Sequence, residues 1–246
     1  MLTEETITKL NELRLYQMAE VFRKFQVDAN SSALSFEERL GIMVDQEWSV
    51  RKSKKLSRLC KSAGYVFPHA CIEDIRYDST RRLDKTMIAK LSACTFIQKA
   101  DNVIILGATG TGKSYLSCAI GIAANRNFYT VKYIRLPDLF SDLAVARAKG
   151  TYKQVIREFQ SVRLLILDEW LLFPLTATEA RDVLEIVEAR YDRGSTVFCS
   201  QFQVEGWYEK IGDATFADAI CDRVVHNAYT IVLEGESMRK ILGVKK

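Results

Sequence analysis

Gly107-Ala108-Thr109-Gly110-Thr111-Gly112-Lys113-Ser114 fits the pattern G-x-x-x-x-G-K-S/T at every fixed position. Glycines at this spacing let the backbone curl so that successive N–H groups face one point, where phosphate oxygens are the natural acceptors. The helical run from Tyr115 to Ala124 adds the partial positive charge of a helix N-terminus to the same point. Lys113 supplies a mobile charge for β- and γ-phosphates, and Ser114 a hydroxyl for Mg²⁺. The bland alternative is a chance glycine turn. The apolar run Val103-Ile104-Ile105-Leu106 before it and the helical run after it supply the context the motif requires.

A second apolar run, Leu164-Leu165-Ile166-Leu167, ends in Asp168-Glu169. A buried strand that ends in two carboxylates places them where ligands of parallel sheets bind. Asp168 is expected to hold Mg²⁺ through its water shell, and Glu169 to orient or deprotonate an attacking water. Alone, the pair could be only a helix N-cap; beside the glycine loop it reads as the second half of an ATP-hydrolysing site. A carboxylate ready for water argues against a small-molecule kinase, and no arginine-bearing lid insertion is visible.

Three further polar positions are candidates. Gln201, after Ser200 at the end of Thr196-Val197-Phe198-Cys199, can reach a γ-phosphate; its alternative is a turn. Arg223 can project into a neighbouring subunit's site, or pair locally with Asp218 or Asp222. Arg239, in Gly235-Glu236-Ser237-Met238-Arg239-Lys240, is a second phosphate sensor or part of a solvated basic tail. His69 and His226 are expected to be surface or otherwise satisfied side chains.

The elements that must position these residues fall into two regions. From Val103 onward, short apolar runs, including Val131-Lys132-Tyr133-Ile134, alternate with helical patterns. That order predicts an α/β domain over 81–246, with a parallel sheet covered on both faces. Residues 1–65 read as helices only. Thr3 with Glu4 and Glu5 starts one, and Ile7, Leu10, Val21, Phe22 and Phe25 keep helical spacing. Asp28-Ala29-Asn30-Ser31-Ser32 is a polar break, and Ser35 with Glu38 a capping box. Leu40, Met43, Val44 and Trp48 then form an apolar face. Residues 66–80 read as a linker. Just before it, Arg51, Lys54, Lys55 and Arg58 share one helix face, opposite Leu56, Leu59, Cys60 and Ala63. Such a face suits a phosphate backbone and carries little sequence information; the plain alternative is a solvated surface.

Composition sets the outer bounds. The chain has 246 residues, 48% of them apolar, and a net charge of +4. That balance excludes a disordered chain and permits nucleic acid as a partner. There is no run long enough to span a membrane, and the acidic start is not expected to act as a secretory leader. The six scattered cysteines offer no zinc spacing, so a reducing, cytoplasmic setting is expected.

Together these strings resemble the IstB-like ATPases, transposition helpers of insertion sequences and relatives of the DnaC helicase loaders. The resemblance runs almost end to end. It is carried by Ser35-Phe36-Glu37-Glu38-Arg39-Leu40, Glu47-Trp48, Arg81-Arg82-Leu83-Asp84-Lys85, Leu167-Asp168-Glu169-Trp170 and Ser200-Gln201. Most specific are Trp207-Tyr208-Glu209-Lys210-Ile211-Gly212-Asp213, Asp222-Arg223-Val224-Val225-His226-Asn227-Ala228 and Gly235-Glu236-Ser237-Met238-Arg239-Lys240. One departure is Ala108-Thr109, where many relatives carry prolines. The resemblance implies an AAA+ domain without a full C-terminal lid, ATP and Mg²⁺ as cofactors, and ATP-dependent homo-oligomers. It implies binding to duplex DNA with little sequence preference, and a DDE-type transposase as partner. It assigns Gln201 as first sensor, Arg223 as arginine finger and Arg239 as second sensor. A DnaC-like replicative helicase loader is the alternative.

Overall fold

The computed structural model describes residues 2–28, 33–77, 81–241 and 243. The chain forms two compact units, residues 1–58 and 59–246. The division falls inside a helix, before the boundary at residue 65 expected from the sequence. Within the stretch expected as a linker, Ala70 and Ile75 are buried in the core of the second unit; residues 78–80 lie outside the described residues.

The first unit holds α1 (Leu2–Glu12), α2 (Tyr16–Val27) and most of α3 (Phe36–Ala63). The expected capping box starts α3: the Ser35 N–H donates to Glu38 Oε2 at 2.7 Å and the Glu38 N–H to Ser35 Oγ at 3.2 Å. The buried face of α3 is not the expected one. Met43 is buried, but Leu40, Val44 and Trp48 are 42, 47 and 56% exposed. The inward stripe runs instead through Met43 and Glu47. At about 100° per residue, Val44 and Trp48 fall roughly a quarter-turn away from it. Glu47 is the polar keystone, accepting from the backbone N–H groups of Gln17 and Met18 at the start of α2 and from Arg51 Nε. Burial alone would raise its carboxyl pKa; the Arg51 and backbone hydrogen bonds win, and it lies below its ordinary value.

The second unit is built on five parallel strands in the order β2-β3-β4-β1-β5. They are β1 (Asn102–Gly107), β2 (Val131–Arg135), β3 (Leu164–Trp170), β4 (Ser195–Ser200) and β5 (Ala228–Leu233). Alternate residues feed opposite layers. Val103, Ile105, Val131, Tyr133, Leu164 and Ile166 join the core beneath α4 (Lys85–Ser92), α5 (Thr95–Lys99) and α6 (Lys113–Arg126). Ile104, Leu106, Ile134, Leu165 and Leu167 face α7 (Leu136–Ala148), α8 (Tyr152–Ser161), α9 (Ala177–Arg190), α10 (Trp207–Ile211) and α11 (Ala214–Val225). Two buried faces explain the unbroken apolar runs of β1 and β3. At the sheet edge, β5 exposes Thr230 and Val232, so only one of its faces is covered.

Arg190 pins the second layer. It is 2% exposed and donates to the carbonyls of Phe159, Val162 and Ser195 and to Thr196 Oγ1. All six cysteines are free thiols. Among the described residues no helix is long and apolar enough to cross a membrane.

Candidate functional site

Because all five strands are parallel, the ends of β1, β3 and β4 lie on one edge, and β4 sits between the other two. The glycine loop leaves β1, Asp168-Glu169 closes β3 and Gln201 follows β4. The topology therefore gathers the sequence candidates Gly107 to Ser114, Asp168, Glu169 and Gln201 at one place. Contacts join them: Thr109 Oγ1 donates to Gln201 Oε1 at 2.8 Å. Ser200 is fully buried and donates to the Trp170 carbonyl, tying β4 to β3, so the polar pair divides its work.

The glycines of the loop are required by shape. Gly110 and Gly112 have φ of 87° and 98°, left-handed conformations that side chains resist. A Cβ on Gly110 would stand 2.4 Å from Ser237 Oγ. Lys113, buried at the start of α6, donates to the Gly107 and Ala108 carbonyls at 2.6 and 2.9 Å, spanning the loop it serves. Burial lowers its ammonium pKa, while Cys199 and Asp168 act the other way. Asp168 is 3% exposed; Oδ1 accepts the Glu169 N–H and Oδ2 the Tyr133 hydroxyl. Glu169 is half-buried, with φ of 55° where the β3–β4 register slips between Leu167 and Trp170.

Other candidates lie elsewhere. Arg223, near the end of α11, sits by the opposite edge of the sheet: its carbonyl accepts from Asn102, the first residue of β1. At about 3.3 Å per residue, the length of β1 separates that edge from the loop, so Arg223 cannot meet the phosphate site of its own chain. Neither Asp218 nor Asp222 is its ion-pair partner; Glu188 on α9 is, at 3.1 Å. α12 (Met238–Ile241) starts against the loop, the Met238 N–H donating to the Gly110 carbonyl at 2.9 Å. The Arg239 side chain lies outside the described residues. His69 and His226 are exposed.

In the first unit, Arg51, Lys54, Lys55 and Arg58 are all exposed on α3. Arg51 is nevertheless committed, to Glu47 and to the Arg14 carbonyl at 2.6 Å each. In the second unit, Lys149 and Lys153 are exposed, while Arg147 pairs with the buried Asp182.

The sequence did not single out Arg81 as a part of the loop's support. It is buried, and one guanidinium nitrogen donates to the Thr111 carbonyl at 2.7 Å. Nor did it find the cavity of about 570 Å³ beside Lys113 and Ser114, lined by Phe67, Ile75, Leu83, Tyr115 and Met238. These side chains come from distant stretches without motif spacing; only the apolar character of Phe67 and Ile75 inside a supposed linker hinted at it.

The residues at this edge suit a magnesium nucleotide. Hydroxyl and carboxylate oxygens are ligands for a hard cation, and Mg²⁺ commonly takes one or two protein oxygens with the rest from phosphate and water. Among the described residues, no group of three or more acidic, His or Cys side chains gathers to hold a metal without such help.

Residues 8–244 match the family model for the IstB-like ATP binding protein. A protein of Sinorhizobium fredii described as an insertion sequence ATP-binding protein, y4pL, is 44% identical over 240 residues, covering 98% of each chain. Among solved structures, DnaI aligns with TM-score 0.57 and 22% identity over 70% of this chain and 91% of its own. The DnaC helicase loader aligns with TM-score 0.56 and 13% identity, over 67% and 97%. At such identities the two structures speak for the fold alone, which is the AAA+ P-loop fold.

Proposed function

The chain belongs to the family of IstB-like ATP-binding proteins, and from that premise we propose that it hydrolyses ATP to drive its assembly on duplex DNA in support of a transposase. One observation carries the reading: the convergence of Lys113, Asp168, Glu169 and Gln201 on a single sheet edge. In it, Gly107 to Ser114 cradle the phosphates through backbone N–H groups and Lys113 turns from its own loop carbonyls to the β- and γ-oxygens. Mg²⁺ supplies charge neutralisation when bound with the nucleotide; Ser114 and Asp168 are the residues that would hold it. Glu169 orients and deprotonates the attacking water, and Gln201 holds the γ-phosphate side of the loop through Thr109. The apolar cavity between Phe67, Tyr115 and Met238 takes the adenine. Arg223, out of reach of its own loop, serves the loop of a neighbouring copy, and Arg239 is the second sensor. The exposed basic residues of α3, with Lys54, Lys55 and Arg58 foremost, contact DNA phosphates.

The deciding experiment measures ATP binding and phosphate release, each with and without duplex DNA. Glu169→Gln keeps the shape and removes the base, so ATP should bind and persist while turnover falls by about 100-fold or more. Turnover near wild type in that variant would refute the assignment. A helicase-loading role would instead give ATP-dependent capture of a replicative helicase in a pull-down that offers both helicase and transposase.

A further inference from the structure

Strand β2 delivers two side chains to the carboxylates at the end of β3. Two-residue spacing puts Tyr133 and Arg135 on one face, and the parallel register sets Arg135 beside Asp168. The Tyr133 hydroxyl donates to Asp168 Oδ2 at 2.6 Å, and the Glu169 N–H donates to Oδ1 at 2.9 Å. Both oxygens of the carboxylate are therefore aimed. Arg135 lies 3.8 Å from Glu169 Oε1. A phenol has one proton, and here it goes to Asp168.

Packing does not account for this hydroxyl. Tyr133 is 7% exposed and Asp168 3%, and a phenylalanine ring would fill the same space. Shielding from water leaves the bond without a competitor and makes it stronger than a surface one.

We propose that Tyr133 is a positioning residue for the metal-binding carboxylate: its hydroxyl fixes the orientation of Asp168. The proposal rests on the Mg²⁺-dependent nucleotide site proposed above. It adds a residue that touches neither nucleotide nor metal but sets how strongly the one binds in the presence of the other.

The test is the gain in affinity that Mg²⁺ confers on a fluorescent, non-hydrolysable ATP analogue, measured on the full chain as the ratio of dissociation constants in EDTA and in saturating Mg²⁺. Partners behind a metal-binding carboxylate are worth about tenfold or more in metal affinity, so Tyr133→Phe should cut the ratio about tenfold while the affinity in EDTA stays unchanged. In an Asp168→Asn background the same substitution should add nothing, because its route is gone. A ratio unchanged by Tyr133→Phe, an equal loss with and without Mg²⁺, or a full further loss in the Asp168→Asn background overturns the proposal. If Tyr133→Phe does not fold, Tyr133→Met, which also lacks the hydroxyl, must lower the ratio in the same direction, and an unchanged ratio there overturns it equally. Wild-type protein with no Mg²⁺ gain refutes the metal site itself, and this proposal with it; a wild-type gain retained in both variants refutes only the role of Tyr133.

Discussion

Lys113 and Arg190 are both buried cations, and they illustrate opposite uses of burial. Lys113 spends its hydrogen bonds on the Gly107 and Ala108 carbonyls of its own loop, acceptors that phosphate oxygens can replace. Lys113→Ala should weaken ATP binding by about 10- to 100-fold, the worth of hydrogen bonds to a charged group, without lowering the melting temperature of the nucleotide-free protein. Equal binding by wild type and variant in a nucleotide titration would remove Lys113 from the site. Arg190 has no such exchange to make: its guanidinium satisfies carbonyls from α8, the turn that ends it and β4. Arg190→Met leaves those acceptors buried and unpaired, each at about 1–3 kcal/mol. At about 2–4 °C per kcal/mol for a chain of this size, the melting temperature should fall by roughly 5 °C or more. A melt within a degree of wild type would show that water replaces the guanidinium.

At the scale of elements, α3 serves its unit through two sides. Glu47 faces inward and accepts from the N-terminal amides of α2, where a carboxylate also meets the positive end of the helix. Because its folded pKa lies below the ordinary value, its contribution is present at neutral pH and is lost as pH falls through the folded pKa. Glu47→Gln should therefore destabilise the first unit by about 2 kcal/mol at pH 7, with the difference from wild type closing in acid. Helix signal followed against temperature at both pH values checks this; a difference that persists in acid would mean that shape, not charge, is at stake. The outward side carries the proposed DNA contacts. Since Arg51 is tied to Glu47 and Arg14, the informative variant replaces Lys54, Lys55 and Arg58 by alanine. It should weaken duplex binding for all sequences and flatten the slope of log affinity against log salt by about 2 to 3. Sizing the ATP-bound variant without DNA separates lost contacts from lost assembly, and an unchanged slope in an assembled variant would move the interface to Lys149 and Lys153.

For the whole molecule, the placement of Arg223 is decisive. One chain carries its loop at one edge of the sheet and Arg223 near the other, so a catalytic role for this arginine requires a second copy. Its ion pair with Glu188 must then give way to the phosphates of that copy. Arg223→Ala and Lys113→Ala samples should each be inactive. Mixed, they should regain phosphate release at sites that combine an intact loop with an intact arginine, since an arginine finger is worth about 10³ or more in rate. Mixed activity no greater than the sum of the two samples would confine Arg223 to its local ion pair.

Local pattern sufficed wherever function lies in backbone shape or strand ends. The run from Gly107 to Ser114, the Asp168-Glu169 pair and the two-faced burial of β1 and β3 are short-range properties, fixed by glycine conformations and apolar continuity. The capping box at Ser35 is legible for the same reason. What pairs with what was settled only by tertiary structure. The apolar residues Leu40, Val44 and Trp48 promised an inward face, yet α3 turned Met43 and Glu47 inward, because the start of α2 needed an acceptor for its free amides. Edge strand β5, interrupted by Thr230 and half exposed, takes its place only from its pairing with β1. Arg81, the cavity of Phe67 and Tyr115, and the bond from Tyr133 to Asp168 join residues far apart in the chain. Their partners are chosen by strand order and register, which no local spacing encodes.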